Sequence, residues 1–544
     1  MVAAAISFGT SVQAQGQNTD PVEHVESTAS RISVAGYQAP TPVTVISAET
    51  IARDAQLDLG NQIRQLPSVG QSWSPDTGSN SGQGSQGNAN LSTVELRNLG
   101  NIRTLVLFDG QRVTMSNPNA GTPPFAIGGV DLSTLPQTVV QRVDVVTGGA
   151  SAAWGSDAVA GVVNLVIDKT FSGIKGSLNF ADTSRDDHRQ LKGEIFFGTD
   201  VFGGRGHVEF AGSAVWSPDS VLNLDRGWYW ARSQIVPRTA MGLTTGPTYV
   251  HVYNAAARSG SAAVTNGGLI VSNPAGTVAG SANLLRGTQF VGPSAQAVPF
   301  NFGNLNGSSC LNCDATPFTN TSLSFLAVPY HNFSLFNYNS YRITDDINAS
   351  IQLNYGENHS TSTSSGRSGN VIIRNDNAYV PASVKAIMTA NGIPNFTLGT
   401  SAAGNIDPYH PSLQGARDAV GLSVVKVQRQ LVRGVFTLDG GFRLFNQDWT
   451  WKAYAQNSTV RQVERLPYNV IAQNYSNATD AIVVAATGAN SLGGGNAAVA
   501  TQVRTALTAR NTHVPQVGEI ACRSSLTSTS WGTTTDPATG ITTV

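Results

Sequence analysis

Few side chains in this sequence are spaced for covalent or metal chemistry. Cys310 and Cys313 form a C-x-x-C motif, and Cys522 stands alone. A zinc site needs more ligands nearby and a redox pair needs a βα context, so in an exported protein we expect a small loop disulfide. Histidines such as His188 and His207 are scattered without ligand spacing. The sequence therefore predicts no catalytic residue, no cofactor and no metal site, and we do not expect an enzyme.

The composition favours many β-strands. Only 12% of the 544 residues are charged and the net charge is -1, whereas globular proteins average about 25% charged residues. With 56 Gly, 20 Phe, 13 Tyr and 8 Trp, the chain is too aromatic for a disordered protein. The sequence has no basic stripe of the kind that binds nucleic acid, so no nucleic-acid partner is expected. It also has no run of about 18 apolar residues, so no membrane-spanning helix is predicted. Low charge, abundant glycine and spaced aromatics instead predict strands with polar turns, in two or more folding units.

The N-terminal residues 1–14 are typical of the end of a secretory signal peptide. They contain a short apolar stretch and a small-x-Ala site at Val12-Gln13-Ala14. A basic leading region is missing, so we expect the signal peptide to be truncated at its start. The alternative is a disordered apolar N-terminus. Residues 15–38 are polar, without helical periodicity.

Residues 39–168 have the pattern of a compact α/β domain. Ser47 can cap a helix over 48–54, and Asp58 can cap a second helix that Pro67 ends. Asp109-Gly110 is a turn signal. A helical turn of small residues precedes the last of three predicted strands, which cover residues 104–108, 142–146 and 162–167.

Residues 172–460 contain strands in which apolar and polar side chains alternate with a period of two, separated by very long polar loops. Long strands with one apolar and one polar face fit a bilayer-spanning barrel, although a large soluble β-sandwich or solenoid is the alternative. Trp449 and Trp451 lie near a turn, where a membrane interface holds aromatic residues. We predict three hairpins, which pair 190–197 with 207–216, 333–342 with 347–355, and 429–441 with 448–458.

The connections between these strands differ in length. Short turns alternate with long polar stretches such as 218–330 and 359–426, for which we predict no secondary structure. In membrane barrels, short turns face the periplasm and long loops face outward. Residues 461–544 are expected to be mostly loop, with a short helix near 496–510.

Three stretches resemble the plug domain of TonB-dependent receptors, in the order and spacing of that family. They are APTPVTVISAETI at 39–51, LRNLGNIRTLVLFDGQRV at 96–113 and RVDVVTGGASAAWGSDAVAGVVNLVI at 142–167. The resemblance implies an α+β plug domain at 39–168, followed by an antiparallel transmembrane β-barrel over 172–544. The family barrel has about 22 strands, of which about seven to nine can be counted in this sequence. We therefore expect either a fragment of a longer protein or a truncated product.

The resemblance also implies a set of site residues. A TonB box, the segment gripped by the inner-membrane TonB complex, is expected in the leader at Pro21, Val22, Glu23, His24 and Val25. Such an extended segment offers its backbone to the edge of a partner sheet.

Arg97 matches the arginine of the plug's Leu/Ile-Arg-Gly motif, with Asn98 in place of glycine. In the family this arginine pairs with barrel carboxylates, so it is expected to latch the plug. Thr147 stands where a second arginine is usual, which leaves the latch incomplete. Trp73 and Phe125, in the plug stretches 70–92 and 115–129, are the candidate substrate-stacking residues.

The implied function is that of an outer-membrane receptor which imports an extracellular small molecule with energy from TonB. A siderophore, cobalamin, a metal chelate or an oligosaccharide would fit. The alternatives are a passive or non-functional truncated barrel protein and a soluble extracellular binding protein.

Overall fold

The structure is a computed structural model. It describes residues 2–6, 43–54, 56–70, 74, 91–116, 128–148, 150–222, 225–231, 233–254, 259–265, 267–292, 294–306, 309–314, 325–363, 368–401, 424–445, 447–465, 472–509, 512–527, 534–535 and 542–543. The chain divides into two units. The first comprises residues 1–225, 324–364 and 424–467, and the second comprises residues 226–323, 365–423 and 468–544.

A five-stranded sheet forms the centre of the plug. It consists of β1 (Val43–Ser47), β2 (Thr104–Phe108), β3 (Gln111–Arg112), β4 (Val140–Thr147) and β5 (Gly161–Ile167), so the three predicted strands are confirmed. The spatial order is β1, β4, β5, β2, β3, and neighbouring strands are antiparallel except β5 and β2, which are parallel. The Asp109-Gly110 turn joins β2 to β3 with φ of 56° and 73°, as a tight hairpin turn requires.

Short helices flank this sheet. The Asp58 side chain accepts a hydrogen bond from Asn61 N at 3.1 Å and so caps the second helix, as the sequence predicts. The α-helices are α1 (Ala48–Asp54), α2 (Leu59–Ile63) and α3 (Ser151–Trp154). Single 3₁₀ turns lie at Asn101–Arg103, Leu132–Thr134, Gln137–Val139 and Ser156–Ala158.

Seven long antiparallel strands form a continuous sheet, called the wall below. Consecutive strands are hydrogen-bonded neighbours, and the three predicted hairpins are confirmed. A 3₁₀ turn, Phe202–Gly204, closes the first of them. The strands are β6 (Gly173–Asp182), β7 (Gln190–Val201), β8 (Gly206–Ser217), β9 (Tyr330–Arg342), β10 (Ile347–Thr363), β11 (Val424–Leu444) and β12 (Gln447–Arg465).

The wall buries polar side chains and exposes apolar ones. On β10, Gln352 and Asn354 are buried, whereas the alternate residues Ile351 and Leu353 are 38% and 47% exposed. A water-soluble sheet would do the opposite, because its apolar face packs on a core. The arrangement instead suits a sheet with lipid on one side and a polar interior on the other. Other exposed apolar residues of the wall are Ile174, Leu178, Phe180, Ile195, Phe210, Trp216, Leu335, Val432, Phe436 and Trp449.

The edge of β6 is occupied by a short strand from the chain's start. Val2–Ile6 pairs with β6 in antiparallel register. These residues fall within the expected signal peptide, whose assignment stays a prediction. A further short pair, Val221–Leu222 with Phe325–Ala327, lies where the chain leaves β8 and returns to β9.

The second unit contains secondary structure where the sequence predicts loops. The expectation of loops in 218–330 and 359–426 was therefore wrong. Most strands of the first stretch have only three or four residues, too few to show periodicity. In the second stretch, Ser368–Arg374 carries Val371, Ile372 and Ile373 in a row, without apolar–polar alternation. The helix near 496–510 and the disulfide between Cys310 and Cys313 are confirmed. Phe290, Phe396 and Met388 lie in this unit's apolar core.

The described residues of this unit form five helices and several small sheets. The helices are Gly227–Ala231, Ala382–Asn391, Ala472–Thr479, Ala497–Ala509 and Arg523–Thr527, with 3₁₀ turns at Arg238–Met241 and Leu492–Gly495. The largest sheet has the order Gln296–Pro299, Thr288–Val291, Leu269–Ser272, Asn395–Ser401, Ser368–Arg374. The smaller sheets join Ser259–Ser261, Ser309–Leu311 and Asn304–Asn306; Gln234–Pro237 and Tyr249–Val252; Ala481–Val483 and Ile520–Cys522; and Thr534–Thr535 and Thr542–Thr543.

Candidate functional site

Most of the sequence-predicted site residues lie outside the described residues. This holds for Pro21 to Val25 of the expected TonB box and for the stacking candidates Trp73 and Phe125. Their roles stay predictions.

Arg97 is described, and it lies in an exposed turn of the plug. Its φ is 56°, a left-handed conformation, and its Nη2 donates to the carbonyl of Val159 at 3.3 Å. Both groups belong to the plug, so this contact is not one between plug and wall. The latch role of Arg97 stays a prediction without support from this hydrogen bond.

Asp131 is the centre of one buried contact between plug and wall. It precedes the 3₁₀ turn Leu132–Thr134, where its Oδ1 accepts from the backbone N–H of Ser133 at 3.1 Å and of Ser92 at 3.2 Å. The other carboxylate oxygen faces the wall, 3.6 Å from Arg429 Nη1 and 3.3 Å from Asn358 Nδ2. Both Asp131 and Arg429 have fully buried side chains.

The electrostatics of Asp131 follow from this position. Burial raises the pKa of its carboxyl group, whereas the Arg429 guanidinium and the hydrogen bonds from Ser92 and Ser133 oppose that rise. Since removing either member would leave a buried polar group without its counterpart, the pair ties the position of the plug to strand β11.

Asp109 is the centre of a second contact, at the turn between β2 and β3. Gln352 on β10 donates to its Oδ2 at 2.6 Å, and Lys169 lies 2.8 Å from the same atom. Arg433 on β11 reaches the same place and donates to Gln111 Oε1 at 2.9 Å and to Gln352 Oε1 at 3.3 Å. The positive φ of the turn thus presents a carboxylate to the wall's buried polar face.

Close packing surrounds these polar contacts. A side chain at Gly356 on β10 would meet the carbonyl oxygen of Thr134 at 2.0 Å, so only glycine lets the plug backbone approach this strand. Phe108 of the plug and Phe336 of β9 pack edge to face, with ring centroids 5.8 Å apart. Further along, Lys192 of β7 donates to Gln137 Oε1 at 2.7 Å.

The contact therefore has the opposite polarity from the expected latch. The wall supplies the arginines, Arg429 and Arg433, and the plug supplies the carboxylates, Asp131 and Asp109. Sequence reasoning missed these residues and interpreted Asp109 only as a turn residue. The available signal was two arginines four residues apart on the polar face of a predicted strand.

In the described part of the chain, no group of three or more potential metal ligands lies together. Among those residues there is also no helix of sufficient length and apolarity to cross a membrane.

The plug matches a known family model. Residues 36–162 match the family model described as the TonB-dependent Receptor Plug Domain. This range contains Asp109 and Asp131 and ends within β5.

Several solved structures are similar to the chain at low identity. A mutant of the ferric enterobactin receptor PfeA from Pseudomonas aeruginosa, in complex with enterobactin, is 14% identical, with 79% of this chain and 47% of that chain covered and a TM-score of 0.36. The siderophore receptor PirA from Pseudomonas aeruginosa is 13% identical, with 79% of this chain and 53% of that chain covered and a TM-score of 0.31. Pseudomonas aeruginosa FpvA bound to heterologous pyoverdines is 11% identical, with 81% of this chain and 45% of that chain covered and a TM-score of 0.36.

The chain spans about half the length of these structures, since the covered shares of the three are 47%, 53% and 45%. TonB-dependent receptors are outer-membrane proteins and are not enzymes. Residues 36–162 of this chain therefore carry the plug domain of that family, and long antiparallel strands follow it.

Proposed function

We propose that the chain binds a small extracellular molecule and admits it to the periplasm when the TonB complex pulls on the plug. The observation that carries this proposal is the polar contact between plug and wall around Asp131 and Asp109. Each hydrogen bond there can be exchanged for one to water at a net cost of only about 1 kcal/mol. A plug held this way can be displaced, whereas an apolar interface of equal area would resist the entry of water.

The force would enter through the leader. We place the TonB contact at Pro21 to Val25, as an extended segment added to the edge of a partner sheet. This placement agrees with the position of these residues before the plug, whose matched range begins at residue 36.

The cargo would meet the plug first. Trp73 and Phe125 offer aromatic faces for ring stacking, which suits sugars and aromatic chelators. The proposed substrate class is therefore a siderophore, cobalamin, another metal chelate or an oligosaccharide.

A cargo-independent experiment tests the TonB contact. The affinity of the purified full chain for the periplasmic domain of TonB would be measured for the wild type, for Val22→Pro and for the matched control Thr28→Pro. Proline removes a pairing N–H, so we expect Val22→Pro to weaken binding about tenfold and the control to leave it unchanged. Equal affinity of all three proteins would contradict the proposed box.

Uptake tests the transport step. Cells that express the receptor would be supplied with iron-loaded enterobactin, cyanocobalamin or a labelled maltooligosaccharide. We expect accumulation of at least one probe, and its loss in Val22→Pro but not in Thr28→Pro. A passive channel would instead conduct salt in planar bilayers without TonB, and accumulation independent of Val22 would favour that alternative.

A further inference from the structure

Strands β11 and β12 place two cations directly opposite each other. Lys426 pairs in register with Arg465, and four residues further along Arg461 pairs with Gln430. Like charges directly opposite on one face of a sheet are destabilising. In the described part of the chain, none of the three cations has a carboxylate within salt-bridge distance, and all three are exposed. An anion that sits between Lys426 and Arg465 would remove this repulsion.

The same residues line a cavity. It has a volume of about 340 Å³ and lies across β8 to β12, at the end of the wall from which the long connections leave. Its lining includes Lys426, Arg465, Trp216 and two histidines, His331 and His359. The histidine rings stack with centroids 4.6 Å apart.

The cavity opens on the apolar, outward face of the wall. Lys426 lies an even number of residues from Val432 on β11, and His359 an even number from Leu353 on β10, both in unbroken register. Val432 and Leu353 are 52% and 47% exposed. Since successive side chains of a strand alternate between faces, the cations share the face that carries the exposed apolar belt.

Glu357 lies on this face, two residues before the lining residue His359, and its own neighbours satisfy it. Glu357 accepts from Gln428 Nε2 at 2.7 Å and is also hydrogen-bonded to His359 Nε2 and to the Tyr355 hydroxyl. Its partners hold it on β10 and β11, away from the opposed Lys426 and Arg465. The net charge of the cavity's rim is therefore positive.

We propose that this cavity binds the phosphate-bearing headgroup of an outer-leaflet lipid, with Lys426 and Arg465 on the phosphate and the acyl chains along the belt of Leu353 and Val432. The position of the cations decides in favour of a lipid over a soluble anion, because only a lipid engages the cation pair and the adjacent apolar belt together. Trp216 lines the same cavity as Lys426 and Arg465. Tryptophan is a residue type that favours the headgroup region of a membrane. The inference uses the expectation that the long connections face outward, and it is independent of TonB or cargo.

The test is equilibrium binding of a fluorescent, doubly phosphorylated lipid A to the full chain in maltoside detergent, which carries no phosphate. The variant is Lys426→Gln/Arg465→Gln. The matched control is Arg443→Gln/Lys452→Gln, which removes the same charge from the other end of the same two strands. At about a factor of five for each cation, we expect an affinity loss of about 30-fold in the variant and none in the control.

The wild-type protein alone provides a second measurement, should the variant fail to fold. Dephosphorylated lipid A is expected to bind about 30-fold more weakly than the phosphorylated form. Equal binding of the two lipids would overturn the proposal, as would equal losses in the variant and the control. Complete displacement of the lipid by millimolar inorganic phosphate would also overturn it, since the cavity would then be a site for free phosphate.

Discussion

The plug has an apolar core, whereas the wall exposes apolar side chains and buries several polar ones. In the plug sheet, Val145 and Leu165 are fully buried, as in a water-soluble domain. In the wall, Arg429 and Arg433 are 0% and 1% exposed, whereas Leu353 is 47% exposed. The difference shows that the two regions are adapted to different surroundings. The plug hides its apolar residues from water, and the wall presents its apolar residues to lipid and its polar residues to the plug.

Where these two regions meet, buried polar pairs lie beside apolar packing such as that of Phe108 on Phe336. The plug surface at Asp131 and Asp109 complements the wall's buried face, so stability there depends on paired polar groups. Elsewhere in the plug it depends on apolar packing. This contrast can be tested by removing one group of each kind.

Asp131→Ala is expected to have the largest effect. It leaves the Arg429 guanidinium buried without its carboxylate, at a cost of about 3–5 kcal/mol. Hydrogen exchange of the amides around Leu132 would report this loss of protection. The matched control is Asp157→Ala, which breaks the ion pair of Asp157 with Arg112. Because both partners are about 40% exposed, that change is expected to cost less than about 1 kcal/mol. Equal effects of the two substitutions would mean that the buried pair does not hold the plug.

The second prediction compares one substitution in both regions. Leu165→Ala creates a cavity in the plug core and is expected to cost about 2–5 kcal/mol, measured by hydrogen exchange of the β5 amides. Leu353→Ala shortens a side chain that faces lipid and leaves no cavity. Its effect on exchange of the β10 amides is expected to stay below about 1 kcal/mol. A cost at Leu353 as large as that at Leu165 would show that Leu353 packs against protein.

The third prediction concerns two glycines of the wall. Gly356→Ala would press a methyl group against Thr134 O, and we expect a loss of about 1–3 kcal/mol in protection of the plug amides. Gly434→Ala is the control, because its added methyl meets no atom closer than Leu353 Cδ2 at 3.6 Å. Unchanged plug protection in Gly356→Ala would contradict close contact between this strand and the plug.

Sequence patterns were sufficient for three strands of the plug sheet and three hairpins of the wall, but not for β1, β3 or β6. The hairpins could be predicted because alternation over eight or more residues in two successive segments is specific, and the plug because its motifs also resemble a known family. Capping by Asp58 and the Asp109-Gly110 turn followed from local rules that need only a few neighbouring residues.

The contacts between the two regions could not be predicted in the same way. Whether Asp131 meets Arg429, or Asp109 lies near Arg433, depends on how the plug is seated, and no local pattern encodes that. The family comparison drew attention to Arg97, whose described hydrogen bond stays within the plug. In the second unit, strands such as Ser309–Leu311 are held by a disulfide and by distant partners rather than by their own periodicity.

The most direct test of this account uses the neighbouring residues Gln352 and Leu353. Single nitroxide labels would be attached to Gln352→Cys and Leu353→Cys, in a chain with Cys522→Ser, after reconstitution into liposomes. Collision rates with lipid-soluble oxygen and with a water-soluble nickel chelate would then be measured. We predict high oxygen and low nickel accessibility at position 353, and low accessibility to both at position 352, where the plug covers the wall. High nickel accessibility at position 353 would contradict the lipid-facing wall, and high nickel accessibility at position 352 would contradict the seated plug.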